Sequence, residues 1–515
     1  MTPDQTTASN IEWDWLGHWA RKTPEREALV DAERGQRLTY GACDAAARHV
    51  AAWLANDLHV SVGDRVACLA LNGYEIVILF FATQRLGAIL VPLNYRLAPP
   101  ELDQVLADAE PRIVFATKEL AGKLAGLASC AALPIESLDH GPHSVRSLVN
   151  NSEVPPPTLP WRAPTCSDPC MILYTSGTTG RPKGVIVTFG MIYWNSVNTA
   201  LRIELTASDA TVGFLPFFHT GAWNVLLTPL LHHGGRVVLL PRFDPEAVLR
   251  LVAAERTSIL FGVPTTMAAM AETTAFATVD LSSVRFALVG GEAMPEPLIH
   301  IWEAKGIAIR QGYGLTEFGP NVFSLPASDS IRKIGSIGLP NHYCEARILH
   351  DDRAACSTDE VGELVLRGPV ATPGYWRQPE ATAALLHDGW CHTGDLVRRD
   401  AEGYYYVVGR KKEMYISGGE NVYPAEIERV LRTMPGIRDA AVIGIADGKW
   451  GEVGCAFLVK SNSAEMKAER VLAYCRNHLA GYKIPRRVVF VDELPKGDNG
   501  KILKRSLRAP AEVPL

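Results

Sequence analysis

At 515 residues the chain is too long for one hydrophobic core, so two or more domains are expected. Hydrophobic residues at 47% and charged residues at 21% exclude a largely disordered chain. Lysine and arginine number 51 against 56 aspartates and glutamates, a net charge of −5, which argues against a nucleic-acid binder with its basic face.

The N-terminal stretch Met1–Trp15 has no basic n-region and no apolar h-region, so no signal peptide and a cytoplasmic setting are expected. The most apolar stretch, Val66 to Val91, is broken by Asn72, Glu75, Gln84 and Arg85. It reads as a strand plus an amphipathic helix rather than a membrane span. The ten cysteines are scattered from Cys43 to Cys475. Cys166 and Cys170 have no second Cys/His pair nearby to complete a zinc site, so reduced thiols are expected.

Two stretches share one layout. The first runs strand Val66–Leu71, helix Ile76–Leu86, Gly87, strand Ala88–Val91, Pro92, helix Glu101–Ala107 and strand Arg112–Phe115. The second runs strand Thr211–Leu215, apolar stretch Trp223–Leu231, Gly234–Gly235, strand Arg236–Leu240, Pro241, helix Pro245–Ala254 and strand Ser258–Phe261. Alternating strands and helices call for parallel sheets covered on both faces, and the repetition suggests two similar α/β layers packed together. Between them, Pro155–Pro164 reads as a linker. From about Arg410 the pattern becomes a compact α+β unit. A helix begins at Pro424 with Ile427, Val430, Leu431 and Met434 at helical spacing. Strands Ala440–Ile445 and Cys455–Val459 follow, then a helix carrying Val471, Leu472, Cys475 and Leu479, with Gly481 as its expected C-terminal cap, and a strand Val488–Val491. The boundary is expected near Gly409–Lys412, giving domains 1–409 and 410–515.

A buried strand, Met171–Leu173, leads into Tyr174-Thr175-Ser176-Gly177-Thr178-Thr179-Gly180-Arg181-Pro182-Lys183-Gly184. The glycines permit close backbone approach, four hydroxyls supply donors, and Lys183 adds a cation where a polyphosphate would lie. It is not the Gly-x4-Gly-Lys-Ser/Thr loop, because Gly184 follows Lys183 and no helix start is evident.

This loop strongly resembles that of the acyl-adenylate-forming family: acyl-CoA synthetases, free-standing adenylation domains and beetle luciferases. The resemblance covers nearly the whole chain, with several motifs in the family's order. It implies a large N-terminal domain of two α/β layers plus a small barrel-like β part, and a small mobile α+β C-terminal domain. It also implies that Thr175, Ser176, Gly177, Thr178, Thr179, Gly180 and Lys183 wrap the β- and γ-phosphates of ATP.

Further motifs extend it. Gln311-Gly312-Tyr313-Gly314-Leu315-Thr316-Glu317 resembles the family's second signature. An aromatic between glycines can stack on adenine, Thr316 can donate to the α-phosphate, and Glu317 can hold Mg²⁺, which prefers oxygen ligands. Gly290-Gly291-Glu292 reads as an adenine-side loop. Asp395, in Trp390-Cys391-His392-Thr393-Gly394-Asp395, matches the carboxylate that accepts both ribose hydroxyls. Fifteen residues on, Arg410 can reach ribose and phosphate, and Lys412 matches the hinge position about which the C-terminal domain turns. Lys501, in Pro495-Lys496-Gly497-Asp498-Asn499-Gly500-Lys501, matches the catalytic lysine that neutralises charge as the carboxylate attacks. Lys496 and Lys504 stand close by.

The second half-reaction is read from Ser417-Gly418-Gly419-Glu420-Asn421-Val422-Tyr423-Pro424, which resembles the acyl-CoA synthetase form. Gly418 and Gly419 suit a narrow pantetheine tunnel; Trp450, Tyr482 and Arg96 are the further CoA-binding candidates. His219 fits the family's place on the acid-pocket wall with Gly290 and Gly314. Trp223 resembles the indole that gates the alkyl tunnel of some bacterial long-chain synthetases. The expectation is therefore an acid–CoA ligase using ATP, Mg²⁺ and CoA on a medium- or long-chain fatty acid. Aryl-acid CoA ligation, loading of a carrier protein and a non-catalytic nucleotide sensor are the alternatives; homodimerisation stays open.

Overall fold

The repeated layout forms two parallel sheets with the same local strand order. The computed structural model describes residues 11–150, 163–175, 182–461, 466–497 and 501–509. In the first sheet Arg65–Leu69 lies between Ile89–Pro92 and Ile113–Ala116, parallel to both. In the second, Ala210–Gly213 runs parallel to Arg236–Leu239. On its other side comes the strand Ile259–Gly262, where the Ser258 amide donates to the Ala210 carbonyl at 3.0 Å. Both helices that follow the second strand of each unit form as expected, over Pro99–Ala109 and Pro245–Ala254. Most of the expected linker Pro155–Pro164 lies outside the described residues.

Strand alternation assigns the layers. Val66 and Cys68 face a shared core, whereas Ala67 and Leu69 face the outer side of the first sheet. In the second sheet Val237, Leu239, Phe286 and Leu288 face that shared core, and Val238, Ala287 and Val289 face outward. Helices fill the space between. Tyr74–Leu86 is buried on every side from Tyr74 to Arg85, as its all-round apolar sequence demands. It ends on Gly87, whose φ of 67° is the left-handed cap that favours glycine. The Arg85 that interrupts its apolar run is paired, donating to Asp14 at 2.8 Å.

The expected barrel-like part is an antiparallel sheet in which Gly362–Arg367 pairs with both Glu345–Leu349 and Trp390–Arg399. Trp390–Arg399 also pairs with Tyr405–Arg410. The C-terminal unit is built on the long hairpin Ile437–Asp447 and Gly451–Lys460, flanked by Tyr415–Ser417 and Arg487–Val491. Helices Pro424–Arg432 and Ala468–His478 cover it.

The apolar stretch Trp223–Leu231 takes up a π-helix, Ala222–Leu227, that continues into the α-helix Thr228–His232. One local expectation needs correction. Gly481 does not cap the last helix. That helix ends on Leu479, extended at φ −131°, and Gly481 instead opens a 3₁₀ turn, so no left-handed residue is required. All ten cysteines carry free thiols. No helix among the described residues is long and apolar enough to cross a membrane.

Candidate active site

The motif residues converge on one cavity of 2190 Å³ that runs between the second sheet, the antiparallel sheet and the C-terminal unit. Its lining includes Thr175, Lys183, His219, Gly290, Gly291, Gly312, Gly314, Thr316, Glu317, Asp395, Arg410, Lys412 and Lys501. The strands Pro169–Thr175 and Lys183–Thr188 form an antiparallel hairpin that brings Thr175 opposite Lys183. The loop between them carries Ser176, Gly177, Thr178, Thr179 and Gly180, which lie outside the described residues. Lys183 places its ammonium 4.8 Å from the centre of the Tyr375 ring.

Tyr375 was not expected from the sequence. Its hydroxyl donates to Glu317 Oε1 at 2.8 Å, and the Glu317 carbonyl accepts from the Thr372 amide at 2.8 Å. Burial, with the Glu317 carboxylate adding to it, raises the Tyr375 hydroxyl above its ordinary range, so it stays a donor. No spacing rule flags a tyrosine 58 positions from its partner.

Asp395 and Arg410 face each other across neighbouring antiparallel strands. Arg410 Nε lies 2.9 Å from Asp395 Oδ1, and the Tyr313 hydroxyl donates to Asp395 Oδ2 at 2.6 Å. Burial opposes the charge on Arg410, but Asp395, Tyr313 and Glu413 outweigh it and hold the guanidinium above its ordinary value. Tyr313 is pushed well up, first by burial and then by Asp395. Gln311 is buried and points away from the cavity: its amide donates to the Glu292 carbonyl at 2.9 Å and accepts from the Met294 amide at 3.1 Å. Its place is to brace the Gly290–Glu292 loop. Gly314 is obligatory, because a Cβ there would sit 2.1 Å from the Pro320 carbonyl oxygen.

Lys501 enters from the C-terminal unit. The Gly497 amide donates to the Lys501 carbonyl at 2.7 Å, and the Leu503 amide donates to the Pro495 carbonyl at 2.7 Å, forming a narrow ladder that presents the lysine. Burial lowers its pKa, Arg410 lowers it further, and Glu292 and Asp395 oppose the shift. Glu292 is raised by burial, with Lys501 the main opposing charge. The neighbouring lysines are engaged elsewhere: Lys496 with Asp439 at 3.1 Å, and Lys504 with Glu428 at 2.8 Å and Glu413 at 3.0 Å. Lys412 is lowered by burial and then by Arg410.

The remaining candidates divide. His219 lies on the wall, its ring 4.4 Å from that of Phe218. Trp223 is not on the wall. It is 0% exposed, its indole N–H donates to the Phe217 carbonyl at 2.5 Å, and it packs on Phe80 and Phe217. In this arrangement the indole is a core side chain with its one donor satisfied. Arg96 lines the cavity mouth, 5.7 Å from the Tyr95 ring and 5.8 Å from the Phe218 ring. Gly418 and Gly419, with φ of 60° and 88°, form the two-residue turn of the hairpin Tyr415–Ser417 and Glu420–Val422. The Gly418 amide donates to the Trp450 carbonyl at 2.9 Å. Neither glycine, nor the exposed Trp450 and Tyr482, borders the cavity in this arrangement.

The family model described as AMP-binding enzyme matches residues 16–376, and the model of the AMP-binding enzyme C-terminal domain matches residues 426–501. A feruloyl-CoA synthase of an Amycolatopsis species is 40% identical over 96% of this chain and 98% of its own. An indoleacetate–CoA ligase of Aromatoleum aromaticum is 38% identical over 96% and 97%. A long-chain-fatty-acid–CoA ligase of Mycobacterium tuberculosis is 36% identical over 97% and 98%. The o-succinylbenzoate CoA synthetase of Bacillus subtilis in complex with its acyl-adenylate superposes with a TM-score of 0.87 at 32% identity, over 98% of this chain and 99% of that one. The same synthetase in complex with ATP and magnesium gives a TM-score of 0.85 at 32% identity, over 96% and 99%. With two family models in tandem and relatives matched end to end, the chain belongs to the AMP-binding, adenylate-forming enzymes and is an AMP-forming acid–thiol ligase.

Proposed function

We propose that the chain joins an aromatic carboxylic acid to CoA in two steps at this one cavity. Carboxylate attacks the α-phosphorus of ATP, giving acyl-AMP and pyrophosphate; CoA thiol then displaces AMP. The observation that carries it is the convergence of Lys501, Arg410, Asp395 and Glu317 on one cavity whose lining also includes the apolar side chains Ile203, Val225, Phe261 and Leu288. Charge developing between carboxylate and α-phosphate is met by the Lys501 ammonium and the Thr316 hydroxyl. Asp395, acceptor-only, suits the ribose hydroxyls, with Arg410 holding it in place. Lys183 and the Thr175 side of the hairpin suit the departing pyrophosphate. Glu317, fixed through one oxygen by Tyr375, leaves the other for a hard cation, and Mg²⁺ there would neutralise phosphate charge.

On this reading the domain boundary lies at Gly409–Lys412, separating 1–409 from 410–515, with Lys412 as the pivot. Turning about it would withdraw Lys501 and carry Gly418 and Gly419 toward the cavity, with Trp450, Tyr482 and Arg96 available to the nucleotide end of CoA. The aromatic acid is favoured over the fatty acid because Trp223, the residue that spoke for an alkyl tunnel, belongs to the core. Two of the relatives at 38–40% identity are also named for aromatic acids. A panel of fatty, hydroxycinnamic, benzoic and indole-acetic acids, assayed for CoA-dependent AMP release, tests this. Turnover of fatty acids alone refutes the aromatic reading, and turnover only with a carrier-protein thiol refutes the CoA reading.

A further inference from the structure

We infer that Asn321 selects the acid by accepting, through its Oδ1, a hydrogen bond from an O–H or N–H on the substrate's ring; this rests on the aromatic-acid reading above. The orientation of the amide is set by what surrounds its nitrogen. Nδ2 lies 2.6 Å from Thr199 Oγ1 and 3.2 Å from each of the Asn224 and Val225 carbonyl oxygens. Carbonyls only accept, so the NH₂ must face them and the oxygen must face away. Those carbonyls are available for a reason visible in the chain: Pro229, five residues after Asn224 and four after Val225, has no N–H to donate to either. Asn195 Nδ2 also donates to the Asn224 carbonyl, at 2.6 Å. The Thr199 hydroxyl is itself committed, donating to the Asn195 carbonyl at 2.7 Å.

Asn321 lines the cavity beside Val225 and Pro320. Among the described residues its Oδ1 accepts no hydrogen bond, and it is not among the polar side-chain atoms sealed from solvent without a partner. The amide oxygen therefore opens onto the cavity as an acceptor, on a lining that includes the apolar Ile203, Val225, Phe261 and Leu288 together with Thr199 and Ser324. An alkyl or unsubstituted ring would cover this acceptor and leave it without water or partner, whereas a ring bearing a donor restores the bond. A site built around such a bond discriminates strongly against the analogue that lacks it.

The full-length enzyme is tested on matched acids: 3- and 4-hydroxycinnamate against cinnamate and the corresponding methyl ethers, and indole-3-acetate against its N-methyl derivative. The expected result is a kcat/KM ratio of about tenfold to hundredfold in favour of a donor-bearing acid over its matched partner. Asn321→Val and Asn321→Ser are both expected to reduce that ratio to within about threefold. Serine keeps a hydroxyl that can donate to a freed carbonyl, but its oxygen stands one bond nearer the backbone than Oδ1 and is withdrawn from the ring, so a purely structural asparagine predicts that Asn321→Ser keeps the wild-type ratio. That result, or equal use of all matched aromatic acids by the wild type, overturns the inference and leaves the aromatic reading standing. Turnover of alkyl acids with no aromatic acid accepted overturns both.

Discussion

The Tyr375 hydroxyl and the Glu317 carboxylate meet at 2.8 Å across the cavity wall, joining the segment after Gly374 to the second signature motif. The tyrosine ring lies under Lys183, so one side chain touches both the carboxylate suited to the metal and the lysine suited to the pyrophosphate. Removing the hydroxyl in Tyr375→Phe frees the carboxylate to rotate while leaving the ring beneath Lys183. ATP–pyrophosphate exchange should fall about tenfold at low Mg²⁺ and recover partly at high Mg²⁺, in line with loss of one charge-assisted hydrogen bond. A Mg²⁺ titration of wild type and variant measures this. Equal loss at every Mg²⁺ concentration contradicts a positioning role through Glu317.

Lys501 carries a pH prediction with a definite sign. Burial, and then Arg410, hold its pKa below the ordinary lysine value, so the ammonium is lost as pH rises through that lowered value. The adenylation rate should therefore show an alkaline limb that begins below the usual lysine range, and Lys501→Arg should move that limb upward. For stability the sign runs the other way: a depressed cation pKa means that protonated Lys501 costs folding stability at neutral pH, a cost relieved as pH rises. Lys501→Ala should melt at or about 1–3 °C above wild type while adenylation is lost. It should still form thioester from supplied acyl-AMP; equal loss of both half-reactions contradicts the assignment.

Asp395 serves two partners that differ in exposure: Tyr313 is half-buried against the core around Phe323, whereas Arg410 is open to solvent. Asp395→Ala strands the Tyr313 hydroxyl and releases Arg410, whose side chain is 45% exposed and can turn to solvent. The stability loss should therefore be about 1–2 kcal/mol, short of the figure for a fully buried pair. The KM for ATP should rise at least about tenfold, because the carboxylate proposed to accept the ribose hydroxyls is gone. Thermal melts and ATP saturation curves check the two halves separately.

What could be read from the sequence was what lies close along it. The repeated strand–helix layout was visible because alternation such as Val66/Ala67/Cys68/Leu69 is a local signal, and it maps onto opposite faces of the sheet. The polar segment Thr175–Lys183 and the glycine after Ile76–Leu86 are local signals too, whereas the pairing of Thr175 with Lys183 in a hairpin and the left-handed φ of Gly87 emerge only in the fold. Tyr375 and Asn321 were not legible, because each acquires its role from segments 58 to 122 positions away. Trp223 misled for the converse reason: an indole on an apolar stretch looks the same whether it faces core or cavity. The π-helical register that turns it inward is a tertiary outcome, although Pro229 hints at it.

Gly418 offers the sharpest separation of the two half-reactions. Its φ of 60° is strained for any residue with a side chain, and a Cβ there would lie 2.8 Å from Trp450 Cε3. Gly418→Ala must therefore shift either the hairpin turn or the indole it rests on. Neither borders the cavity in the arrangement that presents Lys501, so adenylation should stay within about threefold of wild type. Thioester formation should fall by about a hundredfold if, as proposed, rotation of the C-terminal unit carries the turn and Trp450 toward the cavity for the second step. Single-turnover measurements with preformed acyl-AMP and CoA read the second step directly. A variant that loses both steps equally would place Gly418 in the folding of the C-terminal unit. One that loses neither would remove this hairpin from the thiol's path and leave Arg96, at the cavity mouth, as the residue through which to look for CoA.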